Sequence, residues 1–299
     1  MGAGVFEIFG ISSQALLVQL LLGLINGSFY ALLSLGLAVI FGMLNIINFA
    51  HGAQYMMGAF TAFFLLQYVG LGYWVALIVA PVTVGILGMV IERLFLQWLY
   101  TLDHLYGLLL TFGLALIIEG VFRNYFGASG LPYQMPESLT GGQNLGFMYL
   151  PNYRAWVVVF SLFVCLTTWF VIERTKLGSY LRAATENPTL VRAFGINVPR
   201  MITLTYGFGV ALAALAGVMA APIYNVSPQM GSDLIIVVFA VVVIGGMGSI
   251  MGSIVTGFGL GIIEGLTKVF FPEASSTVIF VIMAIVLLIR PAGLFGRRA

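Results

Sequence analysis

The sequence predicts an all-α polytopic membrane protein with about eight transmembrane helices. Three observations predict it. Of 299 residues, 61% are hydrophobic and 7% charged, where a soluble domain carries roughly 25% charged residues. Mean hydropathy is +1.09. The apolar residues fall in continuous runs near the ~20 residues a bilayer crossing needs, not in the ~10-residue alternating segments of a membrane barrel. Too few charges remain to coat a water-facing surface, which excludes an ordinary soluble enzyme, a nucleic-acid-binding domain and a disordered tail. The single cysteine, Cys165, excludes an internal disulfide and a multi-cysteine metal site. It reads as a small apolar filler within a span.

Along the chain, the first thirteen residues hold one charge, Glu7, and no basic residue. No secretory signal is therefore expected. Candidate spans follow at 15–43, 53–68, 73–91, 105–122, 155–172, 201–221, 234–244, 250–266 and 275–289. Two, 53–68 and 234–244, are short for a crossing. Each adjoins a polar or glycine-rich interruption, Asn45-Ile46-Ile47-Asn48-Phe49-Ala50-His51-Gly52 and Gly245-Gly246-Met247-Gly248-Ser249. Whether each is a loop or a re-entrant turn stays open, and with it the side of the N-terminus. The stretch 124–154 holds five glycines and three prolines, with Glu137 and Arg154 its only charges. The stretch 173–200 holds Arg174, Lys176, Arg182, Arg192 and Arg200. The positive-inside rule assigns 173–200 to the cytoplasm and 124–154, one crossing away, to the outside. Arg93 and the tail residues Arg290, Arg297 and Arg298 then also face inward.

Burial of leucine cannot drive helices together in lipid, whereas close contact of small residues can. Gly23, Gly27 and Ala31 recur four apart, as do Gly209, Ala213, Gly217 and Ala221, and Ser253, Gly257, Gly261 and Gly265. Each set makes one helical face. Within the spans, Glu119 precedes Arg123 and Glu264 precedes Lys268 by four residues, the order that favours a helical ion pair. These pairs are expected as neutralised anchors near span ends. No lone carboxylate at mid-depth is evident.

In the basic stretch, Asn187 reads as an N-cap, Pro188 as the first helical residue and Gly195 as the stop of a helix of about two turns. Leu190, Val191 and Phe194 give it an apolar side, while Arg192 stays charged. So short a helix needs something to pack against.

The run Arg182-Ala183-Ala184-Thr185-Glu186-Asn187, followed by Gly195-Ile196-Asn197, resembles the cytoplasmic loop of branched-chain amino-acid ABC importer permeases of the LivH type. Asn48-Phe49-Ala50-His51-Gly52, Ala213-Ala214-Leu215-Ala216-Gly217-Val218, Gly245-Gly246-Met247-Gly248-Ser249 and Arg290-Pro291-Ala292-Gly293-Leu294-Phe295-Gly296 extend the resemblance, in order, over about 15–296. It implies a single transmembrane permease domain over 1–299, with 124–154 as extracytoplasmic loop and 173–200 as cytoplasmic coupling loop. It also implies a multi-pass protein of the bacterial cytoplasmic membrane. The expected partners are a homologous second permease subunit (LivM-like), two cytosolic ABC ATPases and a periplasmic solute-binding protein. The ATPase would be met by Arg182, Glu186, Asn187, Pro188, Leu190, Val191, Arg192, Phe194 and Gly195. Branched-chain or related amino acids are the expected cargo; urea and aromatic or short acyl acids remain open.

Irregular backbone inside a membrane is tolerated only in protein or along a wet cavity. Asn45, Asn48, His51 and Ser249 are therefore candidates to line the translocation path. They could equally cap helix ends and bond to one another. The chain contains no Gly-x-x-x-x-Gly-Lys phosphate loop, no His-Glu-x-x-His metal motif and no Gly-x-Ser-x-Gly elbow. No cofactor, metal or catalytic set is expected, and any ATP hydrolysis falls to a partner. An ion-coupled secondary transporter is the rival reading; it would need a coupling-ion site, usually a mid-membrane Asp or Glu or a broken helix, and here the breaks are available but the carboxylates sit near span ends.

Overall fold

Two helices with small residues at every fourth position form the organising contact of the computed structural model, which describes residues 7–8, 11–44, 46–100 and 102–296. α1 (Ser13–Leu44) and α10 (Ile250–Phe270) run antiparallel. Gly23 and Gly27 face Gly261, Ala31 faces Gly257, and Gly265 lies over Gln19. A Cβ on Gly23 would fall 2.5 Å from the Gly261 carbonyl oxygen, and one on Gly27 would fall 3.0 Å from Phe258. The backbones therefore touch, and dispersion between them supplies the attraction that leucine cannot supply in lipid. Two of the three small-residue stripes thus dock on each other. The third, on α8 (Val198–Tyr224), meets α1 through Gly209 and α2 (Ala50–Phe64) through Gly217. With partners on all sides, every residue of α1 from 27 to 40 is buried.

The other helices pack around this centre. α3 (Tyr73–Leu94) lies against α8, with Gly85 and Gly88 opposite Gly207 and Val210. α4 (His104–Phe126) starts on the Asp103 side chain, which accepts from Leu105 N–H at 2.9 Å, and stacks Phe122 and Phe126 on Phe60 and Phe64 of α2. α5 (Asn152–Arg174) leads into the short α6 (Lys176–Glu186) and α7 (Pro188–Ala193). α9 (Ser232–Gly245) and α11 (Val278–Ile289) complete the bundle. The strands are marginal: β1 (Glu7–Ile8) pairs with β2 (Ile11–Ser12), and β3 (Gly142–Asn144) with β4 (Tyr149–Pro151). The expected all-α fold is what forms.

Among the described residues, six helices (α1, α3, α4, α5, α8 and α10) are long and apolar enough to cross a membrane, and α9 and α11 are shorter apolar helices. The end of the bundle that carries α6 and α7 is the basic end. α1 starts at the opposite end, where Gln14 Nε2 donates to Phe147 O at 2.8 Å. The chain then passes between the two ends nine times, one more than the approximate expectation, because two passes combine a short helix with a non-helical lead-in.

The first lead-in is 46–49, inside the interruption expected near 45–52. From the end of α1 it doubles back along the bundle, and α2 begins with His51 against Leu33 and Gly36. That level is about 12 Å inside the end of α1, at 1.5 Å per residue. The second expected interruption, near 245–249, is present as a loop, one of the two forms left open. Residues 246–249 form a tight turn at the basic end between α9 and α10, with Gly246 and Gly248 at φ +101° and +83°. The counterpart of 46–49 is 225–231, which enters from the opposite end after α8. Asn225 turns the chain there at φ +60°, a conformation asparagine tolerates. Gly231 then packs on Gly52, so α9 starts where α2 starts and runs the other way. Length and hydropathy exposed the short helices, but not which flank held the break.

The tail closes the basic end. Leu294 N–H donates to Ile244 O at 2.8 Å and Phe295 N–H to Gly245 O at 3.1 Å, satisfying the last carbonyls of α9. Arg297 and Arg298 lie outside the described residues.

Gly261→Val would drive a branched side chain into the backbone of Gly27. A loss of about 3 kcal/mol or more is expected, at the upper end of overpacking costs, because neither backbone can retreat. Thermal unfolding in detergent, with Gly259→Val as the control facing open space, checks this.

Candidate functional site

Two regions carry the candidate residues. At the basic end, Asn187 Oδ1 accepts from Leu190 N–H at 2.9 Å, Pro188 opens α7, and Gly195 leaves it at φ +81°. The local helix is the one its cap residues encode. Val191 is buried in a small core with Ala184 and Val198, flanked by Ile196, Met201 and Ile202. α7 is thereby fixed to the first turns of α8, where Asn197 Oδ1 accepts from Arg200 N–H at 3.1 Å. The other apolar side chains point away, with Leu190 54% and Phe194 77% exposed. Glu186 and Arg192 are also exposed.

Arg182 behaves differently. Its Nη1 donates to Ile172 O at 3.2 Å and pairs with Glu173 at 3.4 Å, so it fastens α6 under the end of α5. Glu173 and Arg182 line an open cavity of about 610 Å³ with the end of α1, the 247–250 turn and Phe295. Ser249 sits in its wall while its Oγ accepts from Gly252 N–H at 3.1 Å, capping α10.

The second region is the 46–49 lead-in. Asn45 lies outside the described residues. Asn48, His51 and Gln54 are all buried. Asn48 Nδ2 donates to Gln54 Oε1 at 3.2 Å and to Tyr206 Oη at 3.1 Å, and Gln54 Nε2 donates to the same hydroxyl at 3.3 Å. His51 Nε2 lies 3.0 Å from Leu33 O, an acceptor, so this nitrogen carries a proton and donates it. Thr111 of α4 serves the broken backbone directly. Its hydroxyl accepts from Phe49 N–H at 3.2 Å and lies 3.2 Å from Ile47 O. Asn48 Oδ1 and His51 Nδ1 have no hydrogen-bond partner among the described residues. Gln54, Thr111 and Tyr206 escape a sequence reading because single polar residues within long apolar runs carry no signal of their own; only Gln54, one turn after His51, has a spacing that hints at the contact.

Across from Gly52, the start of α9 presents a different surface. Gln229, Ser232 and Asp233 are exposed, and Asp233 forms no ion pair among the described residues. α9, at 14 residues, is about 21 Å long against a hydrocarbon thickness of about 30 Å. Its start therefore stops well short of the far boundary. The two expected ion pairs form at 2.6 Å each, and Glu264 also accepts from Tyr30 Oη at 2.7 Å.

A chain with two opposed half-helices, non-helical lead-ins and a capped helical knob between spans has the parts of a transporter. Comparison with known families matches residues 19–287 to "Branched-chain amino acid transport system / permease component". The chain belongs to this family. The permease is 31% identical, over 302 residues covering 94% of this chain and 96% of the relative, to the high-affinity branched-chain amino acid transport system permease protein LivH of Escherichia coli (strain K12). It is equally 31% identical over 294 residues, with the same shares covered, to the permease protein BraD of Pseudomonas aeruginosa. To LivM of Escherichia coli (strain K12) it is 28% identical over 291 residues, 89% of this chain and 67% of that protein. No solved structure matches. The permease is thus a multi-pass membrane protein that serves as the translocating component of a transport system, not an enzyme in its own right.

Thr111→Val keeps shape but leaves the Phe49 N–H without a partner. A cost of about 1–3 kcal/mol is expected, the range for an orphaned buried donor. The melting temperature of the purified chain, compared with Thr267→Val at a half-buried position on α10 whose hydroxyl bonds only its own helix, measures it.

Proposed function

We propose that this chain is a permease subunit of an ATP-driven importer in the bacterial cytoplasmic membrane, carrying branched-chain or related amino acids. The basic end faces the cytoplasm, in keeping with its arginines and lysine, and 124–154 faces outward. Two cytosolic ATPases supply the energy, and a periplasmic binding protein delivers the cargo. A second, homologous permease completes the membrane part; LivH and LivM of one organism both resembling this chain supports that pairing.

The observation that carries the reading is α7. A two-turn helix, capped at its start by Asn187, stopped by Gly195 and braced from behind by Val191, offers Leu190 and Phe194 to solvent. Those two side chains fit a pocket on an ATPase, with Glu186 and Arg192 at the rim. Arg182 contributes from behind, by holding α6 to α5.

The path across the membrane runs past the start of α9. An ionised aspartate in lipid costs about 2.5–3.5 kcal/mol, and non-helical backbone cannot face lipid at all. Gln229, Ser232 and Asp233, exposed beside the 225–231 break, therefore face water or the second permease. Asn48 and His51 form the wall behind them, with Ser249 toward the cytoplasmic mouth.

Phe194→Ala in the assembled importer is expected to weaken ATPase association about tenfold, as loss of a central aromatic anchor does, and to abolish substrate-stimulated hydrolysis. Unchanged association and unchanged stimulation would refute the coupling role. The path is tested by labelling. Cys165 is buried, so Ser232→Cys gives a single accessible thiol. It is expected to react with a water-soluble maleimide, while Ile117→Cys, an exposed apolar position on α4, stays unlabelled in the bilayer.

A further inference from the structure

Glu92 is a buried carboxylate that neither the coupling loop nor the path uses. It lies in the last turn of α3, 2% exposed, and forms no ion pair among the described residues. Two hydroxyls hold it instead. Tyr100 Oη donates to Oε1 at 2.5 Å, and Thr203 Oγ1 donates to Oε2 at 2.7 Å. Each carboxyl oxygen thus meets one hydroxyl, and Thr203 Oγ1, which also lies 3.1 Å from Pro199 O of its own helix, makes its shorter contact with Glu92.

The partners matter by position. Thr203 lies in the second turn of α8, five residues beyond Val198, which packs on Val191 of α7. Tyr100 lies in the connector between α3 and α4. Three residues past Thr203, Tyr206 holds Asn48 and Gln54 at the membrane break. The first turns of α8 therefore carry, in order, the contact with α7, the tie to Glu92 and the tie to the break.

We propose that Glu92 is a positioning residue for transport: it clamps the basic end of α8 to α3 and to the α3–α4 connector, so that displacement of α7 moves these elements as one body and reaches Asn48. This rests on the coupling role proposed for α7. Without the clamp, α8 yields locally, and hydrolysis continues while less cargo moves.

The test uses the complete importer in proteoliposomes, with radiolabelled leucine as the probe and its cognate binding protein inside the assay. Thr203→Val removes one donor at constant shape; Glu92→Gln replaces the acceptor; Thr203→Ser restores the hydroxyl. Assembly and ATPase rate are expected to stay close to the parent, while leucine moved per ATP falls about fivefold in the first two variants and recovers in Thr203→Ser, within the range of measured coupling effects. A purely structural role would instead lower the yield of complex and both rates together. An unchanged ratio in Thr203→Val overturns the proposal even where Glu92→Gln does not assemble. Phe194→Ala run in parallel separates the two readings: if it uncouples while the Thr203 and Glu92 variants keep the parent ratio, the clamp alone is wrong; if it has no effect, the docking of α7 is wrong.

Discussion

A peptide bond inside a membrane must find its hydrogen-bond partners within the protein, and that constraint shapes nearly everything in this chain. Regular helices meet it by themselves. The two departures, 46–49 and 225–231, meet it only because other elements come to them. Thr111 serves the first as both acceptor and donor. The second pairs early with the long loop, Val226 N–H and O bonding Leu131 at 2.8 Å each. The breaks are therefore supported structures. Their support comes from α4 and from the 124–154 stretch, elements that otherwise sit at the periphery.

Close packing decides where such breaks can stand. α1 reaches fourteen consecutive buried positions because glycines on α10 and α8 let their backbones meet it. A centre built this tightly leaves no room for lipid or water between helices, and it sets two short helices start to start at Gly52 and Gly231. The polar cluster of Asn48, His51, Gln54 and Tyr206 sits beside this meeting point, on the side of the 46–49 lead-in.

Much of this was legible in the sequence, and for physical reasons. Hydrophobic runs report crossings because lipid punishes anything else, and the cap residues of α7 act within four residues of chain. The four-residue spacing of glycine found the docking faces, though not which face met which. What escaped is long-range. The interruption after the short span at 234–244 drew attention to its glycines, yet Gly246 and Gly248 only make a turn, while the re-entrant segment precedes the helix and is marked by Asn225 and Gly231. Nothing local in the sequence singles out Glu92, whose enclosure by Thr203 and Tyr100 is made across elements. Arg182 reads as a cation on a docking loop, whereas it spends its guanidinium on a carbonyl of α5.

The tail that bonds Ile244 and Gly245 has a consequence for α9. A half-helix with free carbonyls at its end can gain or lose a turn as its surroundings change. Here Leu294 and Phe295 occupy those acceptors, and at the other extremity Gly231 abuts Gly52. Clasped at both extremities, α9 is held to its number of turns, so a rearrangement that opens the bundle would carry it bodily, together with Leu294 and Phe295.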